Sequence, residues 1–192
     1  MRSLSESERT SLLELARRAV IEAVSKVRSL QEIPKEEIFE WRCGVFVTLH
    51  VRGRLRGCIG VIQAKEPLGE SIVRCASEAA LEDPRFSPMQ TEELPGLEIE
   101  ISLLSPLEPI QRDAIEIGKH GLLVEQGIRR GLLLPQVAVE HHLDREQFLK
   151  ETCRKAGLPW DAWKDAETVI YAFTCEIVEE ESREPRGGRG LV

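Results

Sequence analysis

The chain has 192 residues, of which 42% are hydrophobic and 31% charged, with a formal net charge of −7. That apolar content is enough for one sizeable core, or two small lobes sharing one. An acidic chain has no electrostatic drive to neutralise phosphates, so no nucleic acid is expected as a partner. The opening Met1-Arg2-Ser3-Leu4-Ser5-Glu6 leads into charged residues rather than the apolar run of a signal peptide, and no apolar stretch is long enough to span a bilayer. The 5 Cys are odd in number, widely spaced and without a Cys-x-x-Cys pair, which fits reduced thiols. A cytoplasmic protein with no membrane contact is expected.

Residues 5–28 are expected to form an amphipathic helix. Leu12, Leu13, Ala16, Ala19, Val20, Ala23, Val24 and Val27 recur at helical spacing, and Ser5 or Ser7 can cap it. Pro34 disfavours helix at Ile33 and begins a connector. Val45–Val51 is β-branched and bounded by Gly44 and Gly53, and Leu55–Ile62 follows as a second strand, so the two form a hairpin. Pro67 opens a helix carrying Leu68, Ile72, Cys75, Ala76 and Ala79 on one face. The segment Asp83-Pro84-Arg85-Phe86-Ser87-Pro88 cannot continue it.

Leu97–Leu103 alternates as a strand with one wet face. His120–Glu125 and Gly131–Leu134 read as a hairpin turning through Gly127-Ile128-Arg129-Arg130, and Pro135 suggests an edge, a bulge or a strand end. A helix is predicted from Asp144, as cap, to Ala156, with Gly157 as its stop. Val169–Ile177 alternates as one final strand, and residues 181–192 read as a disordered tail. Antiparallel hairpins with interspersed helices give an α+β class rather than a doubly wound parallel sheet.

The segment Leu55-Arg56-Gly57-Cys58-Ile59-Gly60 concentrates the chemistry. A three-residue loop Arg52-Gly53-Arg54 pairs Val51 with Leu55, Leu49 with Gly57 and Val47 with Ile59. This gathers Val47, Val51, Leu55 and Ile59 on one apolar face. Thr48, His50, Arg56 and Cys58 then share the other face. A two-residue loop instead makes Cys58 a core thiol beside Val47 and Leu49.

Cys58 is a candidate nucleophile, its pKa lowered by Arg56, or else a small buried hydrophobe. Arg56 can hold a small anion with the amides of Gly57 and Gly60, or form an ion pair with an acid such as Glu98 or Glu100. The two glycines either admit a ligand or allow a bulge. His50 and His120 are candidate bases, although a histidine before Gly121 more often caps a turn. Asp83 and Arg85 either fix a turn or line the same cleft as Arg56. The 4 His show no close ligand spacing, so no metal site is predicted; with no P-loop, dinucleotide fingerprint or Gly-x-Ser-x-Gly elbow, the cofactor is unknown at this point.

Phe46-Val47-Thr48-Leu49 with Gly53–Gly60 resembles the hallmark of the AMMECR1 domain. Further matches are Pro67-Leu68, Asp83-Pro84-Arg85-Phe86, Gly118 with His120-Gly121-Leu122, Leu134-Pro135-Gln136-Val137-Ala138, Phe148-Leu149, and Cys153 with Lys155-Ala156-Gly157-Leu158. The chain departs near Leu143, where the family pattern has tryptophan. The resemblance implies a single α+β domain of two lobes over residues 1–180: a large lobe on an antiparallel β-sheet flanked by helices, with a smaller second lobe packed on it. It also implies the A component of systems that include Memo-like and radical-SAM proteins, without fixing a reaction. Two roles stand open: an enzyme or small anionic ligand-handling component using Thr48, Leu55, Arg56, Gly57, Cys58, Ile59 and Gly60, or a non-catalytic adaptor using the same hairpin groove.

Overall fold

The computed structural model describes residues 2–27, 32–63 and 65–180. The expected disordered tail, 181–192, lies outside the described residues, as does Arg28 at the expected end of the first helix. The fold is α+β with two four-stranded sheets. It forms two compact units: the first runs as far as Leu104 and resumes at Glu176, and the second comprises Ser105–Cys175.

The first unit begins with α1, Glu6–Ser25, capped at Ser5 by a reciprocal capping box with Glu8. The helix stops earlier than its periodicity suggests. Lys26 turns left-handed at φ 55° and leaves Val27 exposed. The hairpin β1, Gly44–Val51, and β2, Arg54–Val61, is followed by α2, Leu68–Leu81, and β3, Leu97–Leu104. The sheet is completed by β8, Cys175–Glu179, in the order β2-β1-β3-β8.

Alternation along the strands sorts the sheet into two faces. Val45, Val47 and Leu49 pair with Leu103, Ile101 and Ile99, and all six pack with Leu12, Leu15, Ala16 and Val20 of α1 and with Ile72, Cys75, Ala76 and Ala79 of α2. Each such aliphatic side chain contributes roughly 1.5–3 kcal/mol by burial. Small residues on α2 let it approach the sheet closely. A Cβ on Gly57 would lie 2.0 Å from the carbonyl oxygen of Ala79.

The second unit holds β4, Glu108–Pro109, the hairpin β5, Gly121–Gln126, and β6, Arg129–Leu133, then α3, Pro135–Glu140, α4, Arg145–Lys155, and β7, Val169–Phe173. Its sheet has the order β4-β7-β5-β6. Phe148 and Leu149 of α4 pack with Leu122, Leu133, Val137 and Ala172. Asp144 caps α4 as expected, and Gly157 follows it with φ +68°.

Pro135 follows the end of β6, as one of its readings expected, and is the first residue of α3, where its missing N–H costs nothing. Three expectations are corrected. The β5–β6 turn is two residues, Gly127-Ile128, since Gln126 already pairs with Arg129. The single strand expected over Val169–Ile177 is two strands in different sheets. The switch falls at Thr174, whose N–H donates to Ser105 Oγ at 2.9 Å and whose carbonyl accepts the Ser105 N–H at 2.9 Å. Finally, β3 has no wet face: Glu98, Glu100 and Ser102 are buried along with its apolar positions.

Candidate functional site

The hairpin turn is two residues, not three. Arg52 and Gly53 both take positive φ, 52° and 71°, the mirror-image turn whose twist suits a hairpin. Val51 therefore pairs with Arg54 and His50 with Leu55. The register then shifts, and Leu49 pairs with Gly57, leaving Arg56 as the extra residue of a β-bulge. The bulge restores Thr48 opposite Cys58 and Val47 opposite Ile59, the pairing that sequence alternation requires. Ile59 packs against the core, whereas Leu55, expected there, is half-buried outside that cluster.

Three strands thus set Cys58, Thr48 and Glu100 in one row, with His50 and Glu98 paired in a neighbouring position. The thiol is half-buried, while Thr48 is 7% exposed, His50 2%, Glu98 7% and Glu100 0%. The Thr48 hydroxyl donates to Cys58 Sγ at 3.3 Å. Thiol, hydroxyl, imidazole and carboxylates therefore share one sheet face, and of these groups only Cys58 is not fully buried. Groups of this kind are costly to bury and are held in register by the sheet.

Arg56 does not lower the Cys58 pKa. Its guanidinium grips Glu93, Nε to Oε1 at 2.6 Å and Nη2 to Oε2 at 3.1 Å, rather than Glu98 or Glu100. Burial pushes the Cys58 thiol up, opposed by the Thr48 hydrogen bond and by Arg85. Glu93 is held below the usual carboxylate range, chiefly by the Arg56 hydrogen bond. Nothing local singles Glu93 out in sequence except its place three residues after Gln90, where the two form a capping box.

Asp83 and Arg85 fix a turn and also reach the hairpin. Asp83 Oδ1 accepts the Arg85 N–H at 3.1 Å, and the Asp83 carbonyl accepts the Phe86 N–H at 3.1 Å. Asp83 Oδ2 accepts the Cys58 N–H at 2.8 Å, while Arg85 Nη2 donates to the Cys58 carbonyl at 3.3 Å. The two side chains are bound to each other through Nε–Oδ1 at 2.9 Å and Nη2–Oδ2 at 2.6 Å. These bonds hold the Asp83 carboxyl down at about 2. The Phe86 ring lies 5.5 Å from the Arg85 guanidinium and 5.9 Å from that of Arg56.

Space above the two motif glycines is already filled. Ala79 covers Gly57, and a Cβ on Gly60 would stand 2.3 Å from the Phe46 ring. His120 belongs to the second unit, where its Nδ1 accepts the Glu116 N–H at 3.1 Å and caps a turn. Among the described residues, no three His, Cys, Asp or Glu side chains are arranged to hold a metal ion, and no helix is long and apolar enough to cross a membrane.

The profile of the AMMECR1 family matches residues 13–178. A protein of Methanothermobacter thermautotrophicus is 43% identical over 187 residues, covering 93% of this chain and 97% of that protein. One of Thermococcus gammatolerans is 47% identical over 189 residues, covering 92% and 91%. The crystal structure of protein PH0010 from Pyrococcus horikoshii superposes with a TM-score of 0.83 at 44% identity, covering 93% of this chain and 94% of that one.

Proposed function

The chain belongs to the AMMECR1 family, and from that membership and the geometry above we propose that it handles a small polar ligand at the Cys58 face of its first sheet, as an enzyme or as the substrate-handling component of one. The observation that carries this reading is the row Cys58–Thr48–Glu100, with His50 beside it, in which a half-buried thiol is backed by buried polar groups. Buried ionisable groups gathered beside a half-buried thiol are a physical signature of working sites. An anion at Arg56 has to displace Glu93, so the ligand meets the thiol face rather than the guanidinium. A role beside Memo-like and radical-SAM proteins, which the family resemblance implies, fits a component of this kind.

The test is alkylation of the folded protein by iodoacetamide, with the labelled residues located by mass spectrometry. Cys58 is expected to react ahead of the buried Cys75 and Cys153. A Cys58 that stays inert until the protein unfolds sinks the reading, because no small ligand then reaches that face.

One observation favours the adaptor reading instead. A thiol pushed up by burial is protonated at neutral pH and is a poor nucleophile without a base. The two roles part at Cys58→Ser, which leaves an adaptor working and disables a thiol-dependent component.

A further inference from the structure

We propose that Asp83 and Arg85 act together as positioning residues for Cys58, replacing with two side chains the strand that the edge of the sheet lacks. This rests on the reading of the Cys58 face as the working surface.

Among the described residues β2 is an edge strand, with β1 as its neighbour in the sheet order. An edge residue presents an N–H and a C=O to the side where no strand lies. At Cys58 both are taken. The Asp83 carboxylate accepts the N–H at 2.8 Å, and the Arg85 guanidinium donates to the C=O at 3.3 Å. A residue of a neighbouring strand would offer the same acceptor and donor side by side. Here the pair is rigid because its members bind each other twice, and because the Arg85 N–H also returns to Asp83. Asp83 is buried, while Arg85 keeps a third of its side chain exposed.

The clamp has a second anchor two residues away. Arg56, the bulge residue, is held by Glu93, and the Phe86 ring lies 5.9 Å from the Arg56 guanidinium and 5.5 Å from that of Arg85. Residues on both sides of Gly57 are therefore fastened to the one segment 83–93. The bulge decides whether Cys58 faces Thr48 or the core, so fixing Arg56 and Cys58 fixes the face on which the thiol stands. The charges acting on the thiol are Arg85, Glu100 of β3 and Asp83, with Thr48 of β1 donating to it and Cys75 of α2 nearby.

The experiment uses Asp83→Asn, Asp83→Ala and Arg85→Ala in the full chain, with two readouts. The first is hydrogen exchange at the Cys58 amide. Loss of its acceptor in Asp83→Ala is expected to speed exchange by about tenfold or more, and Asp83→Asn, which keeps a carbonyl acceptor, restores most of the protection. The second is the pH profile of Cys58 alkylation by iodoacetamide. Removing the negative charge in Asp83→Asn moves it to lower pH, and removing the positive charge in Arg85→Ala moves it to higher pH. Opposite shifts are not produced by general loosening. Unchanged amide exchange in Asp83→Ala, or shifts of the same sign in the two single-charge variants, overturns the proposal. An inert Cys58 in the unmodified protein sinks the functional reading alone, because amide exchange still decides the clamp.

Discussion

Gly57 lies against Ala79 so closely that any side chain at 57 meets the main chain of α2: the built Cβ falls 2.0 Å from the Ala79 carbonyl oxygen and 2.9 Å from its carbonyl carbon. A helix carbonyl in a packed core cannot yield as a side-chain tip can. Gly57→Ala is therefore expected to destabilise the protein by roughly 3 kcal/mol through overpacking. Chemical denaturation read by circular dichroism measures it, and a loss under about 0.5 kcal/mol shows that α2 can slide.

Gly60 makes a different kind of close approach. Its Cβ would meet the Phe46 ring at 2.3 Å and the Val45 carbonyl oxygen at 2.5 Å. Gly60→Ala should cost about 2 kcal/mol. Combined with Phe46→Ala, the ring clash disappears and only the backbone clash remains, so the double variant should be about 1 kcal/mol less destabilised than the sum of the two single variants. Strict additivity in the double-mutant cycle would show that the ring does not bear on Gly60.

Arg56 and Glu93 form a partly buried, two-point ion pair. Its coupling energy is expected near 1 kcal/mol in a cycle of Arg56→Ala and Glu93→Ala, the upper end for pairs in contact with water. Because Glu93 is held below its ordinary range, the pair supports the fold above that range and weakens as pH falls through the lowered value. A coupling that is the same at pH 7 and in strong acid contradicts this.

Asp83 predicts an acid limb. Its carboxyl is held at about 2 against an ordinary 3.8, so between these values the unfolded chain binds more protons than the folded one. Its contribution of about 2 kcal/mol is fully present above pH 4 and is lost as pH falls towards 2. The stability difference between the protein and Asp83→Asn should shrink over that window. Denaturant titrations from pH 6 down to 2 test it, and a constant difference excludes Asp83 as the source.

The apolar alternation of Val47, Val51, Leu55 and Ile59 favours Thr48 opposite Cys58 over the register that makes Cys58 a core thiol, and that pairing is the one the sheet has. The route to that register was not legible. It runs through a two-residue turn and a bulge at Arg56, and what holds Arg56 is Glu93, distant in sequence and reached only through the 83–93 segment. Burial of Glu98 and Glu100 was hidden for the same reason: alternation tells which side chains share a face, not whether water reaches it. Asp83-Pro84-Arg85-Phe86 read as a turn, and it is one, but a turn motif says nothing about which backbone its side chains will hold. Alternation through Val169–Ile177 also carried no mark of the switch at Thr174, since both strands keep the same period across it.

That switch governs when the protein can fold. The first unit's sheet takes its fourth strand, β8, from residues 175–179, after the whole second unit has been made. On the ribosome, α1, α2 and three strands emerge early, yet the outer edge of β3 stays open until the far side of the chain arrives. The ion pairs that α1 makes with β8 and with the residue that follows it, Arg9 with Glu176 and Arg17 with Glu180, can form only then. The second unit, whose own ends are tied at Ser105 and Thr174, is continuous in sequence and is free to form first. A released chain ending at Thr174 therefore lacks the fourth strand of the Cys58 sheet while keeping every strand of the second unit's sheet.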